Sequence, residues 1–169
     1  ILFHGNNKTI DEIKMGIELG VGRFVVDNFY ELDIIEEICK GKNKIQEIYF
    51  RITPGIEAHT HDYIKTGQID SKFGFALING DLYEAIEKLS EYKNIKLVGL
   101  HAHIGSQIFD IEPFMDEVDI MIDLIKEIKD KFDIDLKEID LGGGIGVYYT
   151  KEDKPKTIKE FCEAINVRK

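Results

Sequence analysis

Two short stretches of this chain hold residue types that could do chemistry. In His101-Ala102-His103-Ile104-Gly105-Ser106-Gln107, two imidazoles alternate at the end of an apolar run. If that run is a strand, alternate residues share a face and both rings point the same way. Three readings are open. The pair could ligate one metal, as His-x-His pairs do in metal-dependent barrel hydrolases; this calls for further His or Asp ligands, and Asp140 is the obvious in-strand candidate. One ring could instead lie flat against an aromatic ligand while Ser106 hydrogen-bonds an anion. Both rings could also simply pack in a core. The second stretch is Asp140-Leu141-Gly142-Gly143-Gly144-Ile145-Gly146. Consecutive glycines let backbone approach a ligand closely, and successive N–H groups form an anion-binding concavity. The last glycine of a G-x-G-x-x-G fingerprint would fall on Val147, and no Gly-Lys-Ser/Thr follows. A small phosphate-bearing ligand therefore fits better than a dinucleotide or a nucleoside triphosphate, with a bare tight turn as the alternative.

Both stretches need a scaffold that ends strands side by side. Apolar periodicity alternates between strand-like and helix-like segments along the chain. Strands are expected at Ile1–Phe3, Phe24–Val26, Ile48–Ile52, Leu97–His101 and Ile139–Leu141. Helices are expected over about 10–19, around Ile34–Cys39, over 82–89, over 113–132 and from Ile158 to Ile165. Five such βα repeats imply right-handed crossovers on a parallel sheet, whose sites lie at the carboxyl ends of the strands. An open doubly wound sheet and a piece of a (β/α)8 barrel compete, since a full barrel needs eight units. Ile1 falls inside a strand and Lys169 just after a helical pattern, so a segment of a larger barrel is expected. The acidic positions Asp116, Glu117, Asp119 and Asp123 read as the wet face of the longest helix. His59-Thr60-His61, together with Thr66-Gly67 and Asp70-Ser71-Lys72-Phe73-Gly74, lies in a long polar stretch of the kind that is usually functional or mobile.

Composition narrows the function classes. The 169 residues carry 22 Lys+Arg against 32 Asp+Glu, a formal net charge of −10. Its arginines are only Arg23, Arg51 and Arg168, which argues against a nucleic-acid backbone as partner. With 43% hydrophobic residues the chain can fill a core, yet no apolar run approaches the roughly 20 residues that span a bilayer. Cys39 and Cys162 lie far apart, with neither metal-ligand spacing nor a disulfide framework. A cytoplasmic location is expected.

Taken together the motifs resemble the diaminopimelate decarboxylase family, fold-type III enzymes that use pyridoxal 5′-phosphate. The likeness runs through Phe3-His4-Gly5-Asn6-Asn7-Lys8, Arg51-Ile52-Thr53-Pro54-Gly55, His59-Thr60-His61 and Thr66-Gly67. It continues through Asp70-Ser71-Lys72-Phe73-Gly74, Gly99-Leu100-His101-Ala102-His103-Ile104-Gly105-Ser106-Gln107 and Asp140-Leu141-Gly142-Gly143-Gly144. The resemblance implies an α/β fold: about five βα units of a partial (β/α)8 barrel of the alanine racemase type, matching barrel strands three to seven. Residues 1–169 would be a fragment of the pyridoxal-phosphate-binding barrel, with the family's C-terminal β-domain absent. His103 would stack on the pyridine ring, Ser106 and the Gly142–Gly144 backbone would bind the phosphate, and His101, Arg51 and Lys72 would lie near the active site. The family's Schiff-base lysine lies upstream of the Phe-His-Gly-Asn-Asn motif, so no catalytic residue is expected within this chain, and no metal ligand. The implied reaction of the parent protein is decarboxylation of meso-2,6-diaminopimelate to L-lysine and CO2, by a homodimer. Runners-up are an ornithine-, arginine- or carboxynorspermidine-type decarboxylase, a non-catalytic pyridoxal-phosphate-binding protein, and the metal-dependent hydrolase.

Overall fold

A computed structural model describes residues 1–55 and 73–167. The expectations attached to His59, His61 and Lys72 lie outside the described residues. Six strands form one parallel sheet: β1 (Leu2–Phe3), β2 (Arg23–Val26), β3 (Gln46–Thr53), β4 (Phe75–Ala76), β5 (Ile95–His101) and β6 (Glu138–Asp140). Their order is β1-β2-β3-β5-β6, and β4 pairs with the carboxyl end of β3. Helices α1 (Ile10–Glu18), α2 (Phe29–Lys42), α3 (Asp81–Lys88), α4 (Glu112–Phe132) and α5 (Ile158–Asn166) complete the described elements, with one 3-10 turn at Leu89–Glu91. β4 is the strand that periodicity does not reveal, because two residues are too short to show a period.

Local chemistry accounts for the helix ends. Thr9 opens α1 with a capping box: its hydroxyl accepts the Glu12 N–H, and the Glu12 carboxylate accepts the Thr9 N–H at 2.8 Å. The same device, Thr157 with Glu160, opens α5. α2 starts on the Asn28 side chain, which accepts the Glu31 N–H at 2.9 Å, and stops at Asn43 in the left-handed conformation. Thr9→Ala is expected to cost about 1 kcal/mol of stability, read as a lower urea midpoint at unchanged slope.

Packing decides between the two architectures. Phe24, Val26, Ile48, Phe50, Ile52 and Leu100 turn to one face of the sheet, where they join Ile13, Ile17, Ile35, Leu82, Met121 and Ile128 from the helices in one buried cluster. On the opposite face the buried apolar cluster is only Val25, Tyr49 and Val98. A doubly wound sheet carries helices on both faces; here α1, α2, α3 and α4 all feed the same one. The sheet also curls. Strands lie about 4.8 Å apart, so a flat sheet would hold β1 and β6 about 19 Å apart across β2, β3 and β5. Yet His4, just after β1, stands 3.8 Å from Asp140 at the end of β6, nearer than these two short side chains could reach across a flat sheet. A concave, largely polar face under an outer layer of helices is the wall of a barrel, and the open-sheet alternative is set aside.

One surface expectation fails. Asp116 and Asp123 are exposed, whereas Glu117 is fully buried among the apolar residues of α4. Simple charge patterning misses it because Glu117 sits three residues after Phe114 and four before Met121, on the buried stripe.

Candidate functional site

The polar residues of the concave face lie in two layers. At the amino ends of the strands, Arg23 pairs with Glu47 at 2.5 Å and Glu138 at 2.8 Å, and Tyr49 donates its hydroxyl proton to Glu138. The hydrogen bonds from Arg23 and Tyr49 hold the Glu138 carboxyl down at about 2. Burial, with help from Glu138, pushes the Tyr49 hydroxyl up to about 12. This layer closes one end with satisfied charges.

The carboxyl-end layer holds the residues singled out by sequence. A bulge in β5 makes this possible. Ile48 pairs with Leu97 but Tyr49 pairs with Gly99, so one extra residue enters β5 and shifts its alternation. Leu97 and Leu100 both stay under the helices, and His101 turns onto the concave face in register with Arg51. Gly99 is required there, since a Cβ would stand 2.4 Å from the Glu138 carbonyl oxygen.

His101 is buried, with Nδ1 3.3 Å from Asp140 Oδ2. The His4 ring meets it edge-on at 4.2 Å between centroids, with Nε2 3.8 Å from the same oxygen. Burial lowers the His101 pKa against the pull of Asp140, so the ring is neutral at pH 7. Burial opposes ionisation of Asp140, but the two imidazoles and the Gly142 N–H outweigh it and hold its pKa well below the usual carboxylate range. Arg51 lies 3.6 Å from the buried Asp27 and covers the Phe73 ring at 4.3 Å. Asp27 also accepts the Gly74 N–H at 3.2 Å, and its own N–H donates to Glu31. Lys8 is engaged nearby, its ammonium 2.6 Å from Glu31 and donating to the Val25 carbonyl at 2.8 Å.

His103 does not share the strand with His101, because β5 ends at His101. Its ring lies instead beside the glycine turn: a Cβ on Gly142 would stand 2.9 Å from His103 Nδ1, and one on Gly144 3.6 Å from Cε1. The loops after β5 and β6 are laced together beyond it. Ile108 N–H donates to the Gly144 carbonyl at 2.9 Å and Gly146 N–H to the Ile108 carbonyl at 2.8 Å. The Gln107 side chain, on a backbone at φ 56°, bonds both the N–H and the carbonyl of Val147. Ser106 is exposed on this doubled loop. Gly142 and Gly144 have φ of +71° and +100°, and a Cβ on Gly143 would meet nothing within 4 Å. This is a cradle open on one side, walled by an imidazole, and its backbone shape suits a phosphate.

Of the expected cofactor groups, His103 and the Gly142–Gly144 turn lie side by side, and Ser106 is on the loop laced to that turn. The sequence named Asp140 only as a candidate metal ligand and gave Gln107 and Asp27 no role of their own. Only the position of each, at a strand end or on a glycine-rich loop, hinted at them.

The family described as "Pyridoxal-dependent decarboxylase, pyridoxal binding domain" matches residues 1–168. The chain belongs to this family. Diaminopimelate decarboxylase of Bacillus subtilis is 47% identical over 165 residues, covering 98% of this chain and 38% of the relative. The crystal structure of the diaminopimelate decarboxylase from M. jannaschii in co-complex with L-lysine superposes with a TM-score of 0.89 at 38% identity, covering 99% of this chain and 38% of that one. The Helicobacter pylori enzyme complexed with L-lysine gives 0.82 at 32% identity, covering 99% and 42%. The chain therefore spans about two-fifths of the length of these relatives. Among pyridoxal-dependent decarboxylases, a glycine cradle beside an imidazole is a fitting seat for pyridoxal 5′-phosphate, because it offers an anion site and a flat wall together. Among the described residues no helix is long and apolar enough to cross a membrane.

Proposed function

We propose that this chain is the cofactor-holding portion of a diaminopimelate decarboxylase, which converts meso-2,6-diaminopimelate to L-lysine and CO2. The carrying observation is the cradle of Gly142, Gly143 and Gly144 beside the His103 ring, laced to the loop that bears Ser106. In this reading the Gly143 and Gly144 N–H groups and the Ser106 hydroxyl bind the phosphate at a turn shaped by Gly142, and His103 lies against the pyridine ring. Bound pyridoxal 5′-phosphate supplies an electron sink for the pair left when CO2 departs. The chain's own work is to orient: Asp140 holds Gly142 N–H at 2.8 Å, Arg51 and Asp27 brace the neighbouring strand end, and buried His101 backs the layer. Lys8 is unsuited to a covalent role, since Glu31 and two carbonyls hold its ammonium. The Schiff-base lysine and a C-terminal β-domain lie outside residues 1–169 in this reading, and the complete protein is a cytoplasmic homodimer. The identity to diaminopimelate decarboxylases supports that substrate.

Titration of the protein with pyridoxal 5′-phosphate is expected to show saturable binding that inorganic phosphate competes away. His103→Ala should weaken it about 10-fold, the scale of one lost aromatic contact. Borohydride reduction should leave no single lysine stoichiometrically modified. One stoichiometric adduct on Lys8 or Lys72 would overturn the assignment of the lysine. The complete protein should release CO2 from meso-2,6-diaminopimelate faster than from ornithine; the reverse order would sink the substrate assignment.

A further inference from the structure

We propose that His4, His101 and Asp140 form a binding site for one divalent transition-metal ion of the Zn2+ or Co2+ class. The site adjoins the glycine cradle, which it touches through Asp140 and the Gly142 N–H, and the inference does not depend on the pyridoxal reading. Each residue follows or ends a different strand: His4 after β1, His101 at the end of β5 and Asp140 at the end of β6. The curl of the sheet brings them together, so that one ligand atom from each lies within 4.8 Å of the others. Two imidazoles and one carboxylate are the donor set that borderline divalent ions prefer, and they leave further coordination positions open.

Three observations carry the assignment. The first is spacing. Ligands bound at about 2.0–2.2 Å in tetrahedral geometry lie roughly 3.3–3.6 Å apart. Asp140 Oδ2 is 3.3 Å from His101 Nδ1 and 3.8 Å from His4 Nε2. The remaining closure falls to the His4 side chain, which is 41% exposed and free to swing. The second is an unsatisfied group. His101 is 1% exposed, yet neither of its ring nitrogens has a hydrogen bond of good geometry. A buried imidazole whose carboxylate neighbour is poorly aimed for a hydrogen bond is costly, and an ion at this point would satisfy its Nδ1. The third is orientation. Asp140 Oδ1 accepts the Gly142 N–H at 2.8 Å, which aims Oδ2 at the two imidazoles. Backing of this kind by an outer partner fixes ligands in metal sites. The trio differs from the His101–His103 pair that sequence suggests, because His103 lies beyond the strand end against Gly142 and Gly144.

The test is titration of the cofactor-free protein with Co2+ alone, followed by its visible d–d absorption and by displacement with Zn2+. One equivalent is expected to bind. Asp140→Asn and His4→Ala should each weaken binding by more than about 100-fold, beyond the loss typical of an outer partner. His103→Ala should leave the affinity unchanged. Far-ultraviolet circular dichroism checks that each variant is folded, and His4→Ala keeps the test decisive because that side chain is half-exposed. Absence of saturable Co2+ absorption would overturn the proposal. So would His4→Ala binding as tightly as the parent, or loss of binding in His103→Ala.

Discussion

Gly144→Ala is expected to destabilise the protein by roughly 3–5 kcal/mol and to abolish binding of pyridoxal 5′-phosphate. Gly144 has φ of +100°, where an L side chain is strained, and its Cβ would stand 2.0 Å from the Gly105 carbonyl oxygen. The obstacle is backbone, so no side chain can swing aside. Relief requires the loops after β5 and β6 to part, and that breaks the ladder from Ile108 to Gly144 and from Gly146 to Ile108. Against a total stability of about 5–15 kcal/mol, this loss is large. Gly143→Ala is the matched control. Its Cβ meets nothing within 4 Å, so stability should change by less than about 0.5 kcal/mol, while the methyl group intrudes on the open side of the cradle and weakens cofactor binding. Urea midpoints and cofactor titrations on both variants separate the two effects. A Gly144→Ala protein that unfolds at the parental midpoint would refute the laced-loop account.

Glu117→Gln is expected to stabilise the protein at pH 8 by about 4 kcal/mol and to do almost nothing at pH 4. Glu117 is fully buried, and neither carboxylate oxygen has a hydrogen-bond partner among the described residues. Burial, with a smaller push from the Asp140 charge, raises its pKa from about 4.5 to about 8. Below pH 4 the carboxyl is protonated in both folded and unfolded chains and costs nothing extra. As pH rises from 4.5 the unfolded chain ionises first, so stability falls steadily until the folded group also ionises near pH 8. Above that the loss is complete. Glutamine stays neutral throughout and removes this slope. Urea unfolding of parent and variant across pH 4–9 should give curves that meet at the acid end and diverge toward pH 8. Parallel curves would mean that Glu117 is not held neutral.

The contrast between Asp116 and Glu117 shows what patterning can and cannot carry. Both are acids on one helix, and both fall in an acidic run. Burial depends on helical phase relative to Phe114, Val118 and Met121, and on what the helix packs against. The long helix itself is plain in the sequence because its apolar period repeats over six turns. β4 is not, since its two residues acquire a partner only through Ile52 and Thr53 of β3. Thr9-x-x-Glu12 and Thr157-x-x-Glu160 are local signals, complete within four residues, and the structure forms both.

The candidate site divides the same way. The glycine turn and the His-x-His stretch are visible as strings because backbone freedom and side-chain chemistry belong to residue types. Their strand-end placement follows from the parallel α/β pattern. What the string could not carry is the curl that sets His4 beside His101 and Asp140, or the bulge at Val98 and Gly99 that turns His101 inward. Strict alternation from Leu97 would put His101 under the helices. Local composition and period come from neighbours in sequence. Which side chains meet across a curved sheet depends on register and curvature, summed over strands more than a hundred residues apart.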